Sequence, residues 1–135
     1  MIIALLIIIC IFVALIWFTA KMDSNIEASF TPSGKLTPVD GGIIHWQKQG
    51  NGPALVLIHG LLGNSNNFSE LAKTLASRYT VYTIDRPGSG FSSRYKSTSA
   101  SFEQQSKMIL EWMQKEGIGS ASIAGHSMGG GIALR

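Results

Sequence analysis

The sequence predicts an α/β fold with a mostly parallel sheet and flanking helices, and three observations support this prediction. Residues 54–58 form an apolar run without polar alternation, as expected of a strand covered on both faces in a parallel sheet. Further strand-like runs at 79–84 and 120–124 alternate with segments of helical periodicity. The last run leads into a Gly-x-Ser-x-Gly pentapeptide at 125–129, which is typical of a sharp strand-to-helix turn.

The chain begins with an apolar segment, residues 2–20, that contains no charged residue. As a helix it would be about 28 Å long, close to the roughly 30 Å hydrocarbon core of a bilayer. We therefore expect a single-pass membrane anchor, followed by a polar tether at 21–35. A cleaved signal peptide is the alternative, but no basic residue precedes the segment and the bulky Phe18 lies two positions before Ala20. Lys21 weakly favours a cytoplasmic domain, so the side of the membrane stays open.

Composition restricts the partners and cofactors. The formal net charge is +3, but the 11 Lys and Arg residues are scattered without a run of three, so nucleic acid is not an expected partner. Cys10 is the single cysteine, which excludes an intrachain disulfide. The Gly-Ser-Gly stretch at 88–90 lacks the third glycine of a dinucleotide fingerprint, and the sequence contains no metal-ligand cluster. We therefore expect neither a cofactor nor a metal.

The folded domain is expected to occupy residues 36–135 and to contain five strands. A hairpin at 36–47 turns at Asp40-Gly41-Gly42, because Asp-Gly and Gly-Gly supply the positive φ angles that tight turns need. The elements that follow are a strand at 54–58, a helix capped by Asn67, a strand at 79–84, a polar loop at 92–101, a helix capped by Ser101 and a strand at 120–124.

Three loops follow the predicted parallel strands, at 59–63, 85–90 and 125–129. In open α/β sheets, ligands bind beyond the carboxyl ends of the strands, where these loops lie. In the last loop, Gly125 and Gly129 would let the flanking backbones pass close together and leave the serine hydroxyl exposed at the tip of the turn. The sequence therefore predicts a functional site at this edge of the sheet.

A serine at such a turn needs help to react. Its hydroxyl is a poor nucleophile at neutral pH, so acyl transfer requires a base and N–H donors for the oxyanion. The backbone N–H of Met128, directly after the serine, is the first expected donor. The backbone N–H of Leu61, in the loop after the first central strand, is the second, and Gly60 allows the chain to turn there.

These motifs together resemble the α/β-hydrolase fold superfamily, from about Leu36 to the end of the chain. The resemblance rests on D-G-G-I-I-H-W, H-G-L-L-G, D-R-P-G-S-G-F-S and G-H-S-M-G-G, in that order. It is greatest with bacterial serine hydrolases that carry a hydrophobic N-terminal anchor. The resemblance implies that Ser127 is the nucleophile, that the Leu61 and Met128 backbones form the oxyanion hole, and that a carboxylic ester is cleaved through an acyl-serine intermediate. Branches with an aspartate nucleophile are disfavoured by the serine.

Several neighbouring residues are expected to support the site rather than react. His59 is interpreted as a hydrogen-bonding brace of the oxyanion loop, and His126 as a structural residue whose side chain points elsewhere. His45 lies in the hairpin, and its aromatic neighbour Trp46 is expected to pack rather than to bind a ligand. Asp85 and Arg86 are expected to bond each other or nearby backbone.

The resemblance leaves part of the machinery unaccounted for. In this fold an acidic residue and then a histidine follow the serine, yet none of the eight residues after Ser127 is either. We therefore expect a fragment, the N-terminal part of an incomplete α/β-hydrolase domain, that is poorly folded and inactive alone. Acyl transfer, perhydrolysis or carbon–carbon bond hydrolysis are alternative activities, and a non-catalytic membrane-anchored module is a third possibility.

Overall fold

The computed structural model describes residues 2–29 and 31–135 of the 135-residue chain, with side chains at 7–22 and 31–135. The chain divides between Thr31 and Pro32 into two compact units. The first contains one helix, and the second contains the sheet.

Helix α1 spans Ile2–Ser29 and therefore extends beyond the expected end of the apolar segment at Ala20. It includes most of the predicted tether, because no glycine or proline occurs between Ala20 and Pro32 to end it. Its large apolar side chains within residues 7–22 are exposed, for example Ile8 at 63% and Phe12 at 65%. The sequence predicted a transmembrane helix here, but among the described residues no helix is long and apolar enough to cross a membrane.

The second unit contains six strands and three α-helices. The strands are β1 Lys35–Val39, β2 Gly42–Gln49, β3 Ala54–Ile58, β4 Thr80–Ile84, β5 Ser93–Arg94 and β6 Ser122–Gly125. The helices are α2 Ser69–Leu75, α3 Phe102–Lys115 and α4 Met128–Ala133, with a short 3-10 helix at Ser65–Phe68.

The sheet is mixed, with the order β1-β2-β4-β3-β6 and with β5 beside β2. Strand β3 runs parallel to both β4 and β6, whereas β2 is antiparallel to β1 and β4. The predicted hairpin turns where expected, with Val39 opposite Gly42 and Gly41 at φ 91°. Because β3, β4 and β6 are parallel, their carboxyl ends meet at one edge of the sheet, where the candidate site lies.

Two local predictions are corrected by the structure. Strand β5 lies inside the predicted polar loop at 92–101, because its neighbour Ser92 accepts a hydrogen bond from the His45 N–H (2.8 Å) and brings the segment beside β2. The helical segment after β3 begins earlier than Asn67. Asn64 is its cap and accepts from the Asn66 N–H at 3.0 Å, while the Asn67 side chain accepts from the Asn64 N–H at 2.7 Å.

The main core lies between the sheet and α3. Ser101 caps this helix as expected, accepting from the Gln104 N–H at 3.2 Å. Trp112 of α3 is completely buried, and its ring centroid lies 5.7 Å from that of Trp46 and 5.9 Å from that of Tyr82. These aromatic contacts fix α3 against the sheet, and α3 in turn carries a side chain that reaches the candidate site.

Strand β6 is the edge of the described sheet on this side. It pairs with β3, and all four of its residues are exposed, including Ile123 at 42%. An edge strand with free N–H and C=O groups and apolar side chains is a template for pairing with another chain.

We therefore expect the 135-residue chain to self-associate through β6. Substitution Ile123→Lys should lower the associated fraction in sedimentation velocity, because a charge on an edge strand opposes pairing. Leu71→Lys on α2 is the matched control, since Leu71 is similarly exposed at 46% but lies away from the edge. Equal association of both variants and the unmodified chain would show that β6 is not the contact.

Candidate active site

Ser127 lies at the tip of the turn between β6 and α4. Its backbone angles are φ 52° and ψ −119°, in a region that residues with a side chain rarely occupy. The turn is anchored next to the serine by a hydrogen bond from the His126 N–H to the Ile58 carbonyl at 2.9 Å. Ser127 is exposed at the carboxyl end of the parallel strands. A strained backbone that presents a polar side chain to solvent is a frequent feature of functional sites.

Two glycines allow this turn to form. A Cβ at Gly125 would collide with the backbone of Gly129, and a Cβ at Gly129 would collide with the carbonyl of Ile58. Strand β6, helix α4 and the end of β3 therefore approach each other more closely than residues with side chains permit. This observation matches the sequence interpretation of both glycines as residues that let neighbouring backbones pass.

The loop after β3 lies directly against the turn. A Cβ at Gly60 would be 3.1 Å from the Ser127 Cβ and 3.0 Å from the His126 Nδ1. Gly60 and Leu61 line a cavity of about 330 Å³ together with His59 and His126. The exposed ring of His126 thus lies beside the site, whereas the sequence predicted that it points elsewhere, because Gly60 has no side chain to exclude the ring.

The two expected oxyanion donors are backbone groups at this junction. Met128 is the first residue of α4, and the first N–H groups of a helix have no partner within the helix. Leu61 is 66% exposed, and Leu62 is 98% exposed with φ 58°. The left-handed conformation of Leu62 turns the chain back, so that the Gly63 N–H reaches the Gly60 carbonyl at 3.4 Å.

His59 is buried and uses both ring nitrogens. Its Nε2 accepts from the Arg86 backbone N–H at 3.0 Å, so this nitrogen carries no proton. The proton is therefore on Nδ1, which donates to the Gly60 carbonyl at 2.8 Å. Burial lowers the pKa of His59 from its ordinary value, and the positive charge of Arg86 lowers it further. The structure thus places a neutral histidine under the loop.

Arg86 also contacts this loop through its side chain. Its Nη2 donates to the Gly60 carbonyl at 3.2 Å, and its Nη1 donates to Gln105 Oε1 at 3.0 Å. Gln105 comes from α3, and its Nε2 donates to the Ala100 carbonyl at 2.8 Å. The side chain of Arg86 is buried, and burial lowers its pKa. Sequence reasoning missed Gln105, because a polar residue in an amphipathic helix normally faces solvent.

The Asp85 carboxylate connects three other segments. Asp85 Oδ1 accepts from the Ser65 N–H at 2.6 Å, and Oδ2 accepts from the Phe91 N–H and from His45 Nδ1, both at 2.9 Å. We expected Asp85 and Arg86 to bond either each other or nearby backbone groups, and in the structure both bond nearby backbone groups. His45 is buried in this cluster rather than among the residues that line the cavity.

No metal-binding cluster of three or more His, Cys, Asp or Glu side chains occurs in the part of the chain that the structure describes. The candidate site contains instead the Ser127 hydroxyl, the backbone at Leu61 and Met128, whose N–H groups are the expected donors, and a neutral histidine beneath the loop. Such a set can hold a carbonyl oxygen while the hydroxyl attacks its carbon.

A serine held in strained geometry between a strand and a helix, beside a glycine loop of the neighbouring strand, is the arrangement of a nucleophile elbow in an α/β protein. Residues 53–135 match the model of the alpha/beta hydrolase fold family. The chain therefore belongs to this family.

Individual relatives carry different activities. The chain is 32% identical over 128 residues to the dihydrolipoyllysine-residue acetyltransferase component of the acetoin cleaving system of Cupriavidus necator. The matched region makes up 86% of this chain and 34% of the relative. It is 34% identical over 90 residues to a pimeloyl-[acyl-carrier protein] methyl ester esterase of Vibrio vulnificus, and this match covers 67% of this chain and 33% of the relative. The chain thus spans about a third of the length of these curated relatives.

A solved structure is similar over a larger part of the chain. A membrane phospholipase A, described as a bacterial virulence factor, superposes on 96% of this chain and 44% of its own, with a TM-score of 0.70 and 26% identity. The similarity therefore includes residues of α1 as well as the sheet.

The lowered pKa of His59 predicts a pH dependence of stability. The unfolded state binds the proton near pH 6.5, whereas the folded state keeps His59 neutral to lower pH. The contribution of His59 is fully present above pH 6.5 and is lost as the pH falls through the window below it. The free energy of unfolding, measured with urea, should therefore decrease between about pH 6.5 and 5.

His59→Gln should flatten this slope, because an amide does not titrate. His126→Gln, which replaces the exposed histidine beside Ser127, is the matched control and should keep the slope. An unchanged slope in His59→Gln would show that another group causes the pH dependence.

Proposed function

We propose that this chain carries the nucleophile and oxyanion hole of a serine hydrolase that cleaves a carboxylic ester through an acyl-serine intermediate. The observation that carries the proposal is the geometry of Ser127, which is exposed at φ 52° and touches the loop that contains Gly60 and Leu61. A structural turn has no need of such strain, whereas a nucleophile gains an accessible hydroxyl from it.

In the proposed reaction, Ser127 Oγ attacks the ester carbonyl carbon and the hydroxyl proton passes to a general base. Negative charge then develops on the carbonyl oxygen. The Leu61 and Met128 N–H groups stabilise this charge, and they come from two different loops that meet at the turn. The tetrahedral intermediate expels the alcohol, and water later releases the acid from the acyl-serine.

The general base is neither of the two buried histidines. His59 already uses both ring nitrogens, with Arg86 and the Gly60 carbonyl. His45 is 1% exposed and donates to Asp85. The chain covers only about a third of the length of its curated relatives. We therefore propose the activity for the protein expressed from its complete coding sequence.

An ester substrate is supported by the neighbouring surfaces and by the relatives. Leu61 and Leu62 are exposed beside the proposed nucleophile and suit an apolar acyl or alcohol group. The relative from Vibrio vulnificus is a methyl ester esterase, and the structural neighbour is a phospholipase. We propose a small-molecule ester as substrate and no cofactor, since every step uses only the hydroxyl, backbone donors, a base and water.

Acyl transfer is a second candidate, favoured by the acetyltransferase component that matches 86% of this chain. Both reactions pass through the same acyl-serine, and they differ in whether water or another nucleophile accepts the acyl group. The ratio of acid to transfer product, measured with an added alcohol or thiol acceptor, distinguishes them.

A fluorophosphonate probe tests the proposal on the protein expressed from its complete coding sequence. We expect labelling at Ser127 and its loss in Ser127→Ala, together with a fall in ester hydrolysis of about 10⁴-fold or more. Ser120→Ala, at an exposed serine before β6, is the matched control and should keep both signals. A well-folded protein without labelling would instead favour a non-catalytic module.

We also propose that residues 2–20 attach the protein to a membrane. Support comes from the exposed apolar side chains of α1 and from the membrane phospholipase that matches 96% of this chain. Deletion of residues 2–20 should move the protein from the carbonate-resistant membrane pellet to the supernatant. Ile8→Lys with Phe12→Lys should act in the same direction, because each charge is costly within a bilayer. Recovery of both altered proteins in the pellet would contradict the proposal.

A further inference from the structure

We infer that Arg86, held in place by Gln105, is a positioning residue that fixes the direction of the oxyanion-hole peptide between Gly60 and Leu61. This inference rests on the proposed function, because it assigns a purpose to the Leu61 N–H. The sequence motif around Ser127 does not predict this role of Arg86. It comes from a buried cation on one loop and a buried amide on α3 that converge on the carbonyl of another loop.

The geometry of the peptide bond couples the direction of the Gly60 carbonyl to the direction of the Leu61 N–H. The Gly60 carbonyl and the Leu61 N–H belong to one planar peptide unit, and in a trans peptide they point in opposite directions. No cis peptide bond occurs among the described residues. Any group that holds the Gly60 oxygen therefore sets where the Leu61 hydrogen points. Glycine at position 60 would otherwise leave this peptide free to rotate.

The Gly60 oxygen has two strong donors beside the local contact from Gly63. His59 Nδ1 approaches it at 2.8 Å and Arg86 Nη2 at 3.2 Å. Both donors depend on Arg86, since its backbone N–H keeps the His59 proton on Nδ1 while its side chain donates directly. One residue thus controls the peptide through its main chain and its side chain together.

Gln105 gives the guanidinium a defined orientation. Its amide can be placed without ambiguity, because Arg86 only donates and the Ala100 carbonyl only accepts. The planar guanidinium then directs Nη1 to Gln105 and Nη2 to Gly60, a fork that lysine cannot reproduce. Gln105 is 4% exposed, so this orientation is protected from competition by water.

The contact also has an electrostatic effect on the donor. A positively charged hydrogen bond to the carbonyl polarises the whole peptide unit and strengthens its N–H as a donor. Complete loss of one oxyanion donor costs about 10²- to 10³-fold in kcat. Misdirection of a donor that is still present should cost less, on the order of 10-fold.

The peptide can be observed directly by selective labelling. Gly60-Leu61 is the only Gly-Leu pair in the 135 residues, so ¹³C-carbonyl glycine with ¹⁵N-leucine gives it a distinct carbonyl–amide cross-peak. In the protein expressed from its complete coding sequence, this peak is the one that disappears in Leu61→Met. We expect Arg86→Met to move it in both dimensions, because the carbonyl loses a charged donor. Arg78→Met, at an exposed arginine, is the matched control and should leave it in place.

Gln105→Met is a second and milder variant. It removes the acceptor of the guanidinium and the bond from Gln105 to the Ala100 carbonyl but keeps Arg86, so it should move the same cross-peak by a smaller amount in the same direction. Arg86→Lys keeps the charge without the fork and should give an intermediate position. An unmoved cross-peak in both Arg86→Met and Gln105→Met overturns the inference, whether or not the protein hydrolyses esters.

Kinetics then tests whether the position matters for catalysis. With an ester that the unaltered protein hydrolyses, Arg86→Met and Gln105→Met should lower kcat about 10-fold with little change in KM, because the affected donor acts in the transition state. Unchanged kcat with a moved cross-peak overturns the catalytic purpose. Absence of hydrolysis and of Ser127 labelling in the unaltered protein would instead refute the proposed function, and the cross-peak would still decide whether Arg86 holds the peptide.

Discussion

The close approach of three backbones at the end of β3 is the constraint on which the rest of the site depends. Helix α4 begins so near to this strand that only glycine fits at position 129, where a side chain would meet the Ile58 carbonyl. The same approach lets the His126 N–H bond that carbonyl at 2.9 Å and holds Ser127 at positive φ. The strained serine therefore exists because packing on either side leaves the chain no relaxed alternative.

Beneath this junction, buried polar groups join segments that are distant in sequence. His59 follows β3, Arg86 follows β4, and Gln105 comes from α3, yet all three are buried and connected by hydrogen bonds through Arg86. Each partner that was lost would leave a desolvated group unpaired, at a cost of about 1–3 kcal/mol. These bonds converge on the Gly60 carbonyl and hold the loop after β3 in one arrangement.

The sequence predicted those parts of the fold that have a local signal. The hairpin turn at Gly41, the apolar strand β3 and the cap at Ser101 each follow from a few adjacent residues, and the structure has them there. Strand β5 has only two residues and no periodicity, and it exists because Ser92 bonds the His45 N–H across 47 positions. The contact of Gln105 also depends on a residue that is distant in sequence, since its partner Arg86 lies 19 positions earlier. The sequence therefore did not predict it.

Asp85 and Arg86 are adjacent in sequence and carry opposite charges, but they have different hydrogen-bond partners. Asp85 receives two backbone N–H groups and His45, whereas Arg86 donates to two neutral oxygens, from Gln105 and Gly60. A carboxylate bonded directly to Arg86 would largely cancel its charge at the Gly60 carbonyl. With neutral ligands the positive charge stays effective in a buried setting, where electrostatic interactions are stronger than in water. The same residue that orients the peptide thus also polarises it towards the side where an oxyanion would form.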